Sequence, residues 1–311
     1  MTRRLLVPAG LLLVVLQSCS PAIEGPSETV ALEQVNAGPG LDATAARQAV
    51  VAFLEAYAGA AQDGGAELNR LVATEKLARW VKWLTVQHQS FPGKITGEFE
   101  LSGLEFLGTI PAQGSLAAQV DLGATLTLTF EPKGADPFPQ TRMLDGPVTL
   151  FLRGRADWGI VDITRDGRSM DESIQLFSDV AQSGRRVTVQ VDSLFTFPPF
   201  WSFNLVIENG SRKVLRFDPR DALIAPAEGS ELERPLRGRA ITPPLARVAA
   251  GATVEGSINF MTPEVTEGLN LSIPLHLGKF ELVLIFPLSA LLSPSPTPSP
   301  TGEVPVPEET S

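Results

Sequence analysis

Between Leu116 and Phe130 the chain alternates apolar and other residues without a break: Leu116, Ala118, Val120, Leu122, Ala124, Leu126, Leu128 and Phe130 on one phase, Ala117, Gln119, Asp121, Gly123, Thr125, Thr127 and Thr129 on the other. A period of two places one set on each face of a β-strand. At about 3.3 Å per residue such a strand is roughly 50 Å long, so it must bend, and Gly123 is the natural place for it. A chain carrying this element needs an equally long sheet to pair with it and another layer to cover its apolar face.

The material for that layer precedes it. Ala46, Ala49, Val50, Phe53, Leu54, Tyr57, Ala58 and Ala61 recur at steps of three and four, the stripe of an amphipathic helix. Asp42 or Thr44 can cap its start, and Asp63-Gly64-Gly65 ends it. Ala66 to Ala73 reads as a short second helix. A third begins at Thr74, with Leu77, Trp80, Val81 and Leu84 on one face and Lys76, Arg79 and Lys82 elsewhere. After Pro92-Gly93 the period falls to two. The apolar phase of Ile95 to Ile110 shifts near Ser102-Gly103, as a bulge would make it do. Val148, Leu150 and Leu152, then Trp158 to Ile163, continue the strands. The expectation for residues 42–178 is an α+β domain, with N-terminal helices on a curved antiparallel sheet. This order of elements, with the helix around Val50 to Ala61, resembles the nuclear transport factor 2-like, cone-shaped fold. That resemblance implies a cone that can enclose a small apolar ligand, and it transfers no catalytic residue.

Polar, interrupted sequence from Asp166 to Gly184 suggests a boundary near 178–184. From Arg186 every periodic stretch is strand-like: Val187 to Val191, Phe203 to Ile207, Val214 to Phe217, Ala222 to Ile224, Val254 to Phe260, Leu269 to Ile273 and Phe280 to Phe286. Asn209-Gly210 and Asp218-Pro219 mark corners. The expectation for residues 185–290 is an all-β sandwich. Phe203-Asn204-Leu205-Val206-Ile207-Glu208-Asn209, Phe217-Asp218-Pro219-Arg220-Asp221-Ala222-Leu223 and Gly256-Ser257-Ile258-Asn259-Phe260 resemble the immunoglobulin-like domains of exported bacterial lipoproteins of unknown function. Only the sandwich and a surface for contacts are implied, because the inter-sheet cysteine pair of antibody domains is missing.

The ends of the chain carry an address. Arg3 and Arg4 precede an apolar run, Leu5 to Leu16, too short to span a bilayer and interrupted by Pro8 and Gly10. Leu16-Gln17-Ser18-Cys19 follows, and its cysteine is the only one in the chain. Leu16, Ser18 and Cys19 resemble the lipobox of bacterial lipoproteins. The resemblance implies a signal peptide over 1–18, transfer of a diacylglycerol group with palmitate-class chains to the Cys19 sulfur, and cleavage between Ser18 and Cys19. The protein would then sit outside the cytoplasm, lipid-anchored to a bacterial cell membrane. Residues 19–41, rich in Pro, Gly and polar residues, read as a flexible tether. Residues 291–311, with Ser293-Pro294-Ser295-Pro296-Thr297-Pro298 and terminal glutamates, read as a disordered Pro/Ser/Thr tail.

Charge and motif content narrow the function. The formal net charge is −10, and signal cleavage removes two arginines besides, a balance that repels nucleic acid and anionic lipid headgroups alike. With Cys19 committed to lipid, no disulfide is available. Asp162-Ile163-Thr164-Arg165-Asp166-Gly167 opens like a calcium loop, but position twelve is Ser173 and two arginines lie inside it, so a strand end and turn is the better reading. His88 and His276 are the only histidines; neither has metal-site spacing, and His88 reads as a helix-end residue contacting a carbonyl. No nucleophile elbow, phosphate loop or dinucleotide fingerprint is present. The chain reads as a binding or scaffolding module rather than an enzyme, with no cofactor and no metal. Its partners would be the membrane, through the acyl anchor, and an envelope protein. The alternative is a carrier of a small apolar ligand. The pocket or contact residues to test are Tyr57, Trp83 and Trp158 in the first domain, and Phe200 and Trp201 in the apolar run from Phe195. That run either forms an exposed patch or is buried between the domains.

Overall fold

The computed structural model describes residues 43–112, 115–153, 157–178, 180–227, 232, 234–265 and 267–288. The expected signal peptide over 1–18, the expected cleavage and lipid-attachment site at Ser18 and Cys19, the expected tether over 19–41 and all of the expected tail over 291–311 lie outside the described residues. Three helices come first: α1 (Ala43–Asp63), α2 (Ala66–Leu71) and α3 (Glu75–Ser90). Gly64 and Gly65 end α1 in the left-handed region, at φ 71° and 72°, a conformation that costs glycine little. The Thr74 hydroxyl caps α3 by accepting the Leu77 N–H at 3.3 Å.

The first sheet runs in the order β1 (Gly93–Ala112), β2 (Ser115–Pro132), β3 (Phe138–Arg153), β4 (Asp157–Arg165) and β5 (Arg168–Ser169). The bulge expected in β1 lies between Leu101 and Gly103, and a second lies between Phe106 and Gly108. Asp166 and Gly167 join β4 to β5 with φ 51° and 76°, the two positive values that a tight hairpin turn requires. This explains the calcium-like spacing as turn chemistry: the Asp166 carboxylate accepts the Met143 N–H at 3.0 Å, and Asp162 accepts from Ser169 Oγ at 2.6 Å and the Asp171 N–H at 2.9 Å.

Two further antiparallel sheets follow. One has the order β13 (Ala240–Ile241), β15 (Thr253–Met261), β9 (Phe200–Asn209), β8 (Val187–Phe195) and β6 (Ile174–Leu176), with β7 (Ala181–Gly184) also on β8. The other has the order β12 (Leu236–Arg237), β11 (Leu223–Pro226), β16 (Leu269–Leu277), β10 (Leu215–Arg216) and β14 (Arg247–Val248), with β17 (Phe280–Pro287) on β16. A single helical turn, α4 (Pro243–Ala246), leads into β14.

These sheets correct the expectation of an α+β cone with helices on a curved sheet. Of the described residues, 55% are strand and 22% helix, arranged as three antiparallel sheets with only three helices of six residues or more. Alternation underestimates the strands for a physical reason. β3 begins ten residues before Val148, and its first inward positions are the polar Gln140 and Arg142, both half-buried. A strand whose buried phase is polar carries no hydrophobic period. Burial, with the neighbouring Arg165 charge, lowers the pKa of Arg142.

Two apolar cores result. The first joins Phe53, Leu54, Tyr57, Leu77 and Trp80 of the helices to Val120, Leu122, Leu126, Leu144, Leu150 and Ile160 of the first sheet. The second lies between the other two sheets and includes Val189, Trp201, Phe203, Leu205, Ile258, Phe260, Leu271, Ile273 and Phe286. Ile174 and Phe195 face each other across the β6–β8 ladder yet belong to the first core. At that ladder the two cores are knitted together.

Candidate functional site

Helix α3 has two working faces. Leu77, Trp80, Val81, Leu84 and His88 are buried toward the first core. Lys76, Arg79, Trp83 and Gln87, again at steps of three and four, form an adjacent stripe. The second sheet answers with a polar phase. Trp201, Phe203 and Leu205 point into the second core, so Ser202 and Asn204 point the other way. Their cross-strand partners on β15 are Asn259 and Ser257. Such a face normally meets solvent, yet Ser202, Asn204 and Ser257 are only 4%, 5% and 2% exposed.

The outer stripe of α3 is what covers them. Trp83 Nε1 donates to Ser202 Oγ at 2.9 Å, Ser202 Oγ donates onward to Asn259 Oδ1 at 2.7 Å, and Gln87 Nε2 donates to Ser257 Oγ at 2.6 Å. Arg79 pairs with Asp192 at 3.2 Å, Lys82 pairs with Glu255, and Lys76 reaches the Asp171 carboxylate at 2.9 Å. Asn204 Nδ2 bridges Glu255 Oε1, at 3.1 Å, and Asp192 Oδ2, at 3.4 Å. Buried polar groups cost free energy unless paired; here Ser202 and Ser257 are paired to α3 across the seam, and Asn204 to Asp192 and Glu255 of its own sheet, which Arg79 and Lys82 of α3 hold in turn. Three cations on one helix facing three carboxylates also fix its register.

The aromatic candidates are not gathered into one pocket. Tyr57 is core: its ring meets Trp80 edge-on at 5.0 Å and Phe53 at 6.1 Å. Trp158 is buried in the same core. Trp201 lies in the second core, edge-on to Phe203 at 6.3 Å. Phe200 is half-buried at the start of β9, its N–H bonded to the Phe197 carbonyl at 2.9 Å. Trp83 alone is in the seam, with Phe195 at 5.1 Å and Phe197 at 6.2 Å from its ring. The apolar run from Phe195 is thus largely buried where the two cores meet: Phe195 and Trp201 are buried, while Phe197 packs partly covered against the first core.

The seam residues Asp192, Ser202, Asn204, Glu255 and Ser257 are the ones sequence reasoning misses. Their signal was there in weak form. The non-core phase of β9 and β15 carries short neutral Ser and Asn, where a solvated face favours long charged residues.

Two grooves flank this framework. One, of about 500 Å³, runs along α3 past Gly64, Gly65, Asn69, Glu75, Arg79 and Thr85. The other, of about 420 Å³, lies on the third sheet between Lys213, Val214, Arg216, His276 and Gly278. Among the described residues no group of three or more His, Cys, Asp or Glu could hold a metal. His88 is buried, and its expected carbonyl contact is replaced by an unpartnered Nδ1. Burial pushes its pKa down to about 4, so the ring is neutral at ordinary pH. No described helix is long and apolar enough to cross a membrane.

No protein-family model matches the chain, and no curated protein is significantly similar to it. One solved structure, the intermembrane space region of the chloroplast protein ARC6, aligns with 41% of this chain and 98% of that chain. Its identity is 13% and its TM-score 0.31, values at which the likeness carries no argument.

Proposed function

We propose that the protein is a lipid-anchored lipoprotein of the bacterial cell envelope that works as a binding or scaffolding module. The observation that supports scaffolding over carriage of a small ligand is the occupation of the candidate pocket residues. Tyr57 and Trp158 are packed into the first core, Trp201 into the second, and Trp83 is hydrogen-bonded into the seam. Rings spent on packing are not free to line a ligand cavity. The seam also favours a fixed platform, since it couples both cores through one helix and lets surfaces on either side act from a constant geometry. Anchoring rests on Arg3, Arg4, Leu5 to Leu16 and the Leu16-Gln17-Ser18-Cys19 run.

Native mass spectrometry and solvent extraction of the protein from its own host test the scaffolding reading. A scaffold is recovered without a stoichiometric apolar small molecule, and mild cross-linking before extraction joins it to an envelope protein. A small apolar compound retained at one per chain would overturn this in favour of a carrier.

A further inference from the structure

We propose that the outward face of the third sheet is a docking surface for an anionic phospholipid bilayer, an inference that rests on the membrane-anchored reading above. On this face Arg216 stands directly opposite Arg247 on one neighbouring strand and His276 on the other. Directly opposed like charges on paired strands repel one another. His276 has Asp221 3.5 Å away and Glu281 opposite it on β17. Arg216 and Arg247 are exposed, and among the described residues neither has an ion-pair partner. Lys213 closes the same side of the 420 Å³ groove. In a chain of net charge −10 this is a local reversal of sign, the arrangement that orients an acidic protein toward a negative surface.

The neighbouring strand supplies the second half of the match. The register that puts Glu281 opposite His276 puts Val283 opposite Pro274 and Ile285 opposite Ser272, so all share the face of the arginines. Val283 is 48% and Ile285 51% exposed. Phe280 belongs to the other phase of β17, but at the strand's end it is 49% exposed, with the Arg185 guanidinium 4.6 Å and the Lys213 ammonium 5.3 Å from its ring centre. Cations beside exposed aliphatic and aromatic side chains suit a bilayer interface: the cations meet lipid phosphates, and the apolar groups reach the acyl boundary. An acyl-anchored chain meets the surface at high effective concentration, and a weak patch suffices to hold this face down.

The test uses the full chain carrying Cys19→Ser, which cannot be acylated, sedimented with vesicles of phosphatidylcholine alone and of an equal mixture with phosphatidylglycerol. The expected result is preferential binding to the mixed vesicles, weakened about thirtyfold by Arg216→Ser with Arg247→Ser. Val283→Ser with Ile285→Ser should weaken it severalfold. Thermal midpoints should be unchanged for the arginine pair, since both side chains are exposed. Residues 1–18 are common to every variant, so a difference between variants belongs to this face. Equal binding to both vesicles, or binding indifferent to both pairs of substitutions, overturns the proposal. Absence of vesicle binding, combined with arginine-dependent retention on an acidic polypeptide, overturns it in favour of an acidic protein partner. No acyl chain takes part, so the outcome is separable from success or failure of the lipoprotein reading.

Discussion

Trp83→Ala removes the centre of the seam, and the structure allows its cost to be worked out. Truncating a fully buried Trp costs about 3–5 kcal/mol; Trp83 is only partly buried, so roughly half of that applies. Loss of the Nε1 hydrogen bond to Ser202 Oγ, 2.9 Å long, adds about 1 kcal/mol. The Phe195 and Phe197 rings lose a tilted aromatic neighbour as well, which brings the total to about 4 kcal/mol. Because α3 contributes to one core and covers the sheet of the other, the loss falls on their coupling rather than on either core. Differential scanning calorimetry should show a single cooperative transition for the parent chain. The variant should resolve into two, with the half containing β8, β9 and β15 still folded when the helical half melts. A variant that keeps one transition and loses less than 1 kcal/mol would refute the claim that the seam couples the cores.

Three other perturbations probe separate parts of the structure. His88, held at a pKa of about 4 by burial, binds its proton in the unfolded chain below pH 6.5 but not in the folded one. Its contribution is therefore whole above that pH and falls by up to about 3 kcal/mol as pH drops to 4. Urea titrations of the parent and His88→Leu across this range should differ in slope, and parallel curves would remove the explanation. At Gly97 an added Cβ would overlap the Ala58 carbonyl oxygen and lie 2.8 Å from Ala58 Cα. Gly97→Ala should push α1 off β1 and cost about 1–3 kcal/mol in chemical denaturation; no loss would mean that α1 has room to give. The two protons of Asn209 Nδ2 serve three carbonyls, those of Lys213, Val248 and Ala249, at 2.8, 3.1 and 3.0 Å, one proton being shared. Asn209→Ala should cost about 3 kcal/mol, and a loss within experimental error would show that these carbonyls find other donors.

Local elements were legible where one face is apolar and the other is not. The helix through Ala46 to Ala61, the Thr74 start of α3, the β1 shift at Ser102-Gly103 and the corner at Asn209 all follow from periodicity or turn chemistry. Arg142 and Gln140 show the limit of that method: polar side chains on the inward phase of β3 hid half a strand, and the balance of helix to strand was misjudged in consequence. Trp83 shows another limit. Its place off the apolar face of α3 marked it as different, but its partner Ser202 lies 119 residues away, and no local pattern links the two. Asn204 and Ser257 show a third limit, since alternation reports which phase is apolar and is silent on what covers the polar phase.

Acylation of Cys19 is the premise on which anchoring depends, and it can be measured in one experiment. Cells of the native host, or of a bacterium that processes lipoproteins, are grown with radiolabelled palmitate while expressing the parent chain or Cys19→Ala. The account predicts label in the parent protein at the mass of a chain beginning at Cys19, and none in the variant. Equal label in both, or an unlabelled parent that is released into the medium, would contradict it.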